Sequence, residues 1–146
     1  MDVALTGLFH SFTLVGFPQG SPKQARQNAE GPSNAELAAI HTFGSIKRNI
    51  PPRPFMQETA KADGQTVKEM RVTQGKLLPH LQRGALTVKG YLAAIGEVYA
   101  GGIKRSIHDG NWKENAPRTI ARKKSSKPLL DTLQMVNSVT HREVIS

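Results

Sequence analysis

Cysteine is absent from this 146-residue chain. That excludes a disulfide framework, a thiolate zinc site and a cysteine nucleophile, and it fits synthesis in a reducing interior. Acids are scarce, with 11 Asp and Glu against 20 Lys and Arg, for a net charge of +9. No two acids form a close pair in a catalytic motif. Long apolar runs are missing too, since no stretch approaches the roughly 18–20 residues that span a bilayer. The apolar start, Met1 to Phe9, carries Asp2 and no Lys or Arg, whereas a secretory signal needs a positive leading region and a longer apolar run. These absences predict a soluble protein that does not contact membrane.

What is present suffices for a core. Leu, Ile, Val and Phe together supply 34 of the 146 residues, just above the roughly 20% at which disorder becomes the default. At about 100–200 residues per domain the length predicts one domain, 1–146, with 1–10 read as an N-terminal arm. No internal repeat is found.

Phe12 to Phe17 alternate in a β-branched and aromatic pattern stopped by Pro18, which predicts a strand. Gln19 to Ser33 is rich in Gly, Pro and polar residues and predicts a long loop. Ser33 and Glu36 have the spacing of a capping box, so a short helix opens there and ends at Gly44. Ile50 to Phe55 holds three prolines, which predicts a stiff extended segment releasing into a helix near Pro54. Phe55 to Leu81 is helical, with Val67, Met70, Leu77 and Leu81 on one face, but Gly64, Gly75 and Pro79 predict either two pieces or a kink.

The clearest periodicity is Val88, Leu92, Ile95, Tyr99, Ile103 and Ile107. It predicts the longest helix, about 87–109, capped by Thr87 and ended by Asp109-Gly110. Gly96, Gly101 and Gly102 each cost it about 1 kcal/mol of propensity relative to Ala, so tertiary packing must hold it. Pro117 to Arg122 reads as a helical turn and Lys123 to Lys127 as an exposed loop. Pro128 to Val136 reads as a short helix. Val139 to Ile145 reads as a last strand that pairs with Phe12 to Phe17. The expected class is α+β, a single domain of two or more helices packed on a small, mainly antiparallel sheet.

Candidate chemistry is thin. His10, His41, His80, His108 and His141 fit no metal spacing, and exposed or hydrogen-bonded histidines are expected. No phosphate-loop, dinucleotide or nucleophile-elbow motif occurs. Gly101-Gly102 before Lys104 and Arg105 suggests a phosphate nest less well than it suggests close packing. Ser125-Ser126-Lys127 lies in a basic, polar stretch with no implied oxyanion hole. No catalytic residue, cofactor or metal is therefore expected. The outlier is charge. Trp112 to Lys127 carries six basic residues and one acid, a pattern that attracts phosphates or an acidic partner, or is simply a solvated face. No helix-turn-helix, basic zipper or RNP pattern accompanies it. Trp112, the lone tryptophan, reads equally as an interface anchor or a core residue.

Three stretches in order carry a resemblance. They are Leu14 to Pro18; Asn34 to Gly44 followed by Asn49 to Phe55; and Gly101 to Ile107 leading through Asn115 to Lys123, then Lys127 to Thr132 and Asn137 to Thr140. Together the chain resembles the neck, tail-completion or minor tail proteins of tailed bacteriophages and prophages. It departs from that pattern at Thr42, where the family often has an acid, and at Leu133-Gln134-Met135, where it often has Gly-Gln-Leu. It also starts almost directly at the first strand, without the longer N-terminal helix common in relatives.

The resemblance implies a structural virion protein without catalysis, assembled in the host bacterial cytoplasm and located at the head–tail junction. It implies a homo-oligomeric ring, sixfold as first choice and twelvefold as alternative, closed by head-to-tail interfaces. Tail terminator or tail-tube proteins and head-completion or connector proteins are the implied neighbours, with packaged DNA in the lumen. Candidate residues for facing a neighbour or DNA are Arg118, Arg122, Lys123, Lys124 and Lys127, and the stiff segment Pro51, Pro52 and Arg53. A basic nucleic-acid-binding protein is the alternative.

Overall fold

A computed structural model describes residues 8, 10–18, 31–114, 117, 121 and 134–146. Its elements in chain order are β1 (Phe12–Gly16), α1 (Asn34–Phe43), α2 (Phe55–Thr59), α3 (Gln65–Gln82), α4 (Val88–Asp109), α5 (Gln134–Ser138) and β2 (Thr140–Val144). This is an α+β arrangement in which helices pack on a two-stranded antiparallel sheet. The strands pair from Phe12↔Val144 to Gly16↔Thr140, so the two ends of the sequence meet as the alternating patterns predict. β1 stops one residue early, at Gly16, whose φ of +129° only glycine adopts easily.

Local chemistry accounts for the helix limits. The Ser33 hydroxyl accepts from the Glu36 backbone N–H while the Glu36 carboxylate accepts from the Ser33 backbone N–H at 2.7 Å. The bonds that Ser33 donates to the Glu36 carboxylate, from its backbone N–H foremost and then from its hydroxyl at 2.9 Å, hold that carboxyl below its ordinary value. Thr87 caps α4 by accepting from the Gly90 N–H at 3.1 Å. The Phe55–Leu81 region resolves into two helices, α2 and α3, separated at Ala60–Gly64 rather than kinked, and Gly75 lies inside α3. Pro79 falls inside α3, in its last turn. Of the expected helix at Pro128–Val136, only the part from Gln134 lies within the described residues. The expected loop at 19–33 and turn at 117–122 also lie largely outside them, as does most of the arm at 1–10.

α4 is the spine. Leu92, Ile95, Ile103 and Ile107 are buried as the stripe predicts, while Val88 and Tyr99 are only half-buried at its margins. Its C-terminal half packs with Phe55, Ala38, Met135 and Val139. Its N-terminal half packs with Leu81 and, at the margin, Met70 and Leu77. Two of its glycines are close-approach points. At Gly96 an added Cβ would sit 2.8 Å from the His141 ring, and at Gly102 it would run into Thr66. Gly101 meets nothing. Trp112 takes the core role, packing against the Ile103–Ile107 cluster and donating its Nε1–H to Ser106 O at 2.8 Å. Among the described residues no helix is long and apolar enough to cross a membrane.

Candidate docking surface

The buried residues of α1 are Asn34, Ala38 and Thr42, one narrow face at i, i+4 and i+8. Phe43 follows Thr42, so its side chain turns about 100° away from that face and is 76% exposed. Gly44 then stops the helix with φ of +73°. A Cβ there would lie 2.7 Å from Ile50 O and 2.8 Å from the Pro52 nitrogen, so glycine is required both for the turn and for the space.

The chain next makes a tight excursion, Ser45 to Ile50. Ser45 N–H donates to Ile50 O at 2.8 Å and Ile50 N–H donates back to Ser45 O at 2.9 Å. Asn49 sits at φ of 51°, a left-handed conformation that asparagine tolerates better than most residues. Its N–H donates to Ile46 O at 3.1 Å. Ile46 stands at the tip, 102% exposed, beside exposed Lys47 and Arg48.

Pro51 to Pro54 runs back beneath the end of α1, and Arg53 fastens it. Its backbone N–H donates to His41 O at 2.8 Å. Its side chain is 1% exposed. Nε and Nη2 donate to Lys113 O at 3.1 and 2.9 Å, and Nη1 lies 3.2 Å from His41 Nδ1. A guanidinium can only donate, so that ring nitrogen accepts. Burial presses the Arg53 guanidinium below its usual value, yet arginine keeps its charge in proteins. The expectation that Arg53 faces a neighbour or DNA is therefore corrected. In a proline-rich run it looked exposed, but the prolines leave few backbone donors, and the guanidinium supplies the bonds that join this segment to the one after α4.

Between the turn and the Lys113–Glu114 segment lies an open cleft of about 730 Å³, lined by Phe43, Ile46, Lys47, Ile50, Pro51 and Pro52 among others. Pro51 and Pro52 are thus on the candidate surface. Arg118, Arg122, Lys123, Lys124 and Lys127 lie outside the described residues. Phe43, Ile46, Lys47 and Arg48 were missed from sequence. The available signal was a lone isoleucine in an otherwise polar run between two glycine- and proline-marked boundaries.

The charge lining the cleft is Lys47 and Lys113 against Glu114, with Arg48 exposed on the turn beside it. Its chemistry is desolvation of apolar side chains and pairing of charge, which suits binding. Elsewhere several titratable groups are paired. His141 places Nδ1 2.6 Å from Glu143 Oε1 and Nε2 3.1 Å from Glu97 Oε2, so the cluster bridges β2 to α4 over Gly96. Among the described residues no group of three or more His, Asp or Glu side chains is placed to hold a metal ion. The chain matches no protein-family model, and comparison with curated proteins and with solved structures finds no match.

Proposed function

We propose that this chain is a structural virion protein of the phage head–tail junction, a neck or tail-completion subunit that works by binding its neighbours. One observation carries the reading: Phe43 and Ile46 stand in solvent on a turn held rigid by the Ser45–Ile50 exchange and the Arg53 anchor. An exposed apolar pair on a rigid frame is what an assembly subunit presents, because little conformational entropy is lost when a neighbour covers it. The sequence supports the same reading in part, since Asn34 to Gly44 and Asn49 to Phe55, which carry part of the phage resemblance, flank this turn, while Ser45 to Arg48 at its tip lie between them. Copies form a ring, sixfold or twelvefold, between the capsid connector and the tail. The basic stretch of Arg118, Arg122, Lys123, Lys124 and Lys127 faces an acidic neighbour or the DNA that passes through.

Electron microscopy of the purified chain, together with deletion of its gene from the phage that encodes it, tests the proposal. Rings, and a lysate of unjoined heads and tails, are expected. A chain that stays monomeric at every concentration and whose loss leaves particles joined refutes it. The alternative, a basic nucleic-acid-binding protein, draws on the +9 charge. It predicts no rings and a duplex affinity whose logarithm falls steeply and linearly with the logarithm of salt concentration.

A further inference from the structure

We infer that the Phe43–Ile50 turn and the cleft behind it dock a segment of a different protein that combines an apolar anchor with Asp or Glu. This rests on the assembly reading and deepens it by naming the partner's chemistry. The apolar half of the argument is Phe43 and Ile46, two large side chains with almost no cover from their own chain. Such residues, once desolvated at the centre of an interface, dominate its binding energy. Beside them Ile50, Pro51 and Pro52 give the cleft an apolar floor.

The charged half is Lys47 and Lys113, which line the cleft together with Glu114, and Arg48, exposed on the turn beside it. Three cations against one acid leave this surface net positive beside its apolar centre, which speeds and selects an acidic partner. A second copy of this chain is a poor occupant. The acids it would need at this site are few, because six of its eight described acids are already committed internally. Glu36 bonds Ser33, Glu58 pairs with Lys61, Glu69 with Arg105, Asp109 with His108, and Glu97 and Glu143 both with His141. Duplex DNA satisfies the cations but offers nothing to Phe43 and Ile46. An acidic segment with an apolar anchor satisfies both. The partner meets a site already in shape, because the Ser45–Ile50 exchange and the Arg53 bonds hold the turn before anything binds.

A random peptide library displayed on yeast and selected against the full chain tests this directly. Enriched sequences should pair Leu, Ile, Phe or Trp with Asp or Glu. Their affinity should drop roughly thirtyfold on Phe43→Ala/Ile46→Ala, the loss expected of a truncated anchor pair. It should also weaken on Lys47→Glu/Arg48→Glu and as salt rises. All four side chains are exposed, so both double variants should melt like the parent. Any of these results overturns the inference: no enriched consensus; a consensus without acids; peptides that bind both variants like the parent; or loss of self-association in Phe43→Ala/Ile46→Ala, which makes the patch a copy–copy contact. Duplex DNA that displaces the peptides, and binds unchanged to Phe43→Ala/Ile46→Ala, also overturns it. Rings and joined particles test the assembly reading separately. A chain that forms rings but selects no acidic peptide refutes only this inference, and one that selects acidic peptides but never enters particles refutes only the assembly reading.

Discussion

Gly101 and Gly102 are neighbours in sequence and in the same helix, yet they should respond oppositely to a single methyl group. Replacing either by Ala removes backbone freedom from the unfolded chain and improves helix propensity by about 1 kcal/mol. At Gly101 nothing lies within 4 Å of the added Cβ, so that gain is expected almost in full, about 0.5–1 kcal/mol of added stability. At Gly102 the added Cβ would overlap Thr66 Oγ1 and Cγ2 and lie 2.8 Å from Thr66 Cβ. Thr66 is in the first turn of α3 and is buried. Its Cβ is fixed to the backbone and cannot swing aside, so α3 and α4 must separate. Overpacking of this kind costs about 1–3 kcal/mol. Subtracting the propensity gain leaves Gly102→Ala less stable than the parent by up to about 2 kcal/mol. Equilibrium urea unfolding followed by far-UV circular dichroism measures both. Adding Thr66→Ala to Gly102→Ala removes the two nearest atoms and should recover part of the loss, a coupling within the roughly 0.5–3 kcal/mol range of residues in contact. If Gly102→Ala matches or exceeds the parent, or if both glycine variants shift stability in the same direction, the α3–α4 packing described above is wrong.

Arg53→Met should lower stability by about 1.5–3 kcal/mol through the loss of charged hydrogen bonds to Lys113 O, and Arg53→Lys should recover little because an ammonium cannot reproduce the planar fork; chemical denaturation of both variants checks this. Leu92→Ala or Ile103→Ala should each cost about 2–5 kcal/mol, since both side chains are buried on α4, and an unchanged melting temperature for both would reverse the orientation of that helix. Ser33→Ala should cost about 0.5–2 kcal/mol by removing the cap, measured by thermal unfolding near neutral pH. The Glu36 half of the box has a pH sign: its carboxyl is held below the ordinary value when folded, so its contribution is present above the unfolded value and is lost as pH falls through the folded one. Stability measured down an acid series should therefore show a smaller decline for Glu36→Gln than for the parent.

Much of the fold was legible because its signals are local. The Ser33–Glu36 box, the Thr87 cap, the proline segment and the α4 stripe each depend on residues within a few positions of one another, and each forms where its pattern predicts. The pairing of Phe12–Gly16 with Thr140–Val144 spans the chain, but it too followed from two alternating runs needing partners. The candidate surface was half legible. Pro51 and Pro52 were singled out by their stiffness, while Phe43 and Ile46 were not, since a sequence does not say which apolar residues fail to find cover.

The sequence by itself determined the capped limits of α1 and α4 and the two runs that pair as strands, though not where the Phe55–Gln82 region breaks, because capping, proline geometry and hydrophobic period act through the neighbouring backbone. Only the tertiary structure decided that Arg53 is an internal fastener, that Gly102 is crowded while Gly101 is open, and that an apolar and basic turn is left facing solvent. The physical reason is the same in all three cases. Burial and exposure are fixed by what arrives from far along the chain, Lys113 for Arg53, Thr66 for Gly102 and, among the described residues, nothing for Ile46, and no local pattern encodes those arrivals.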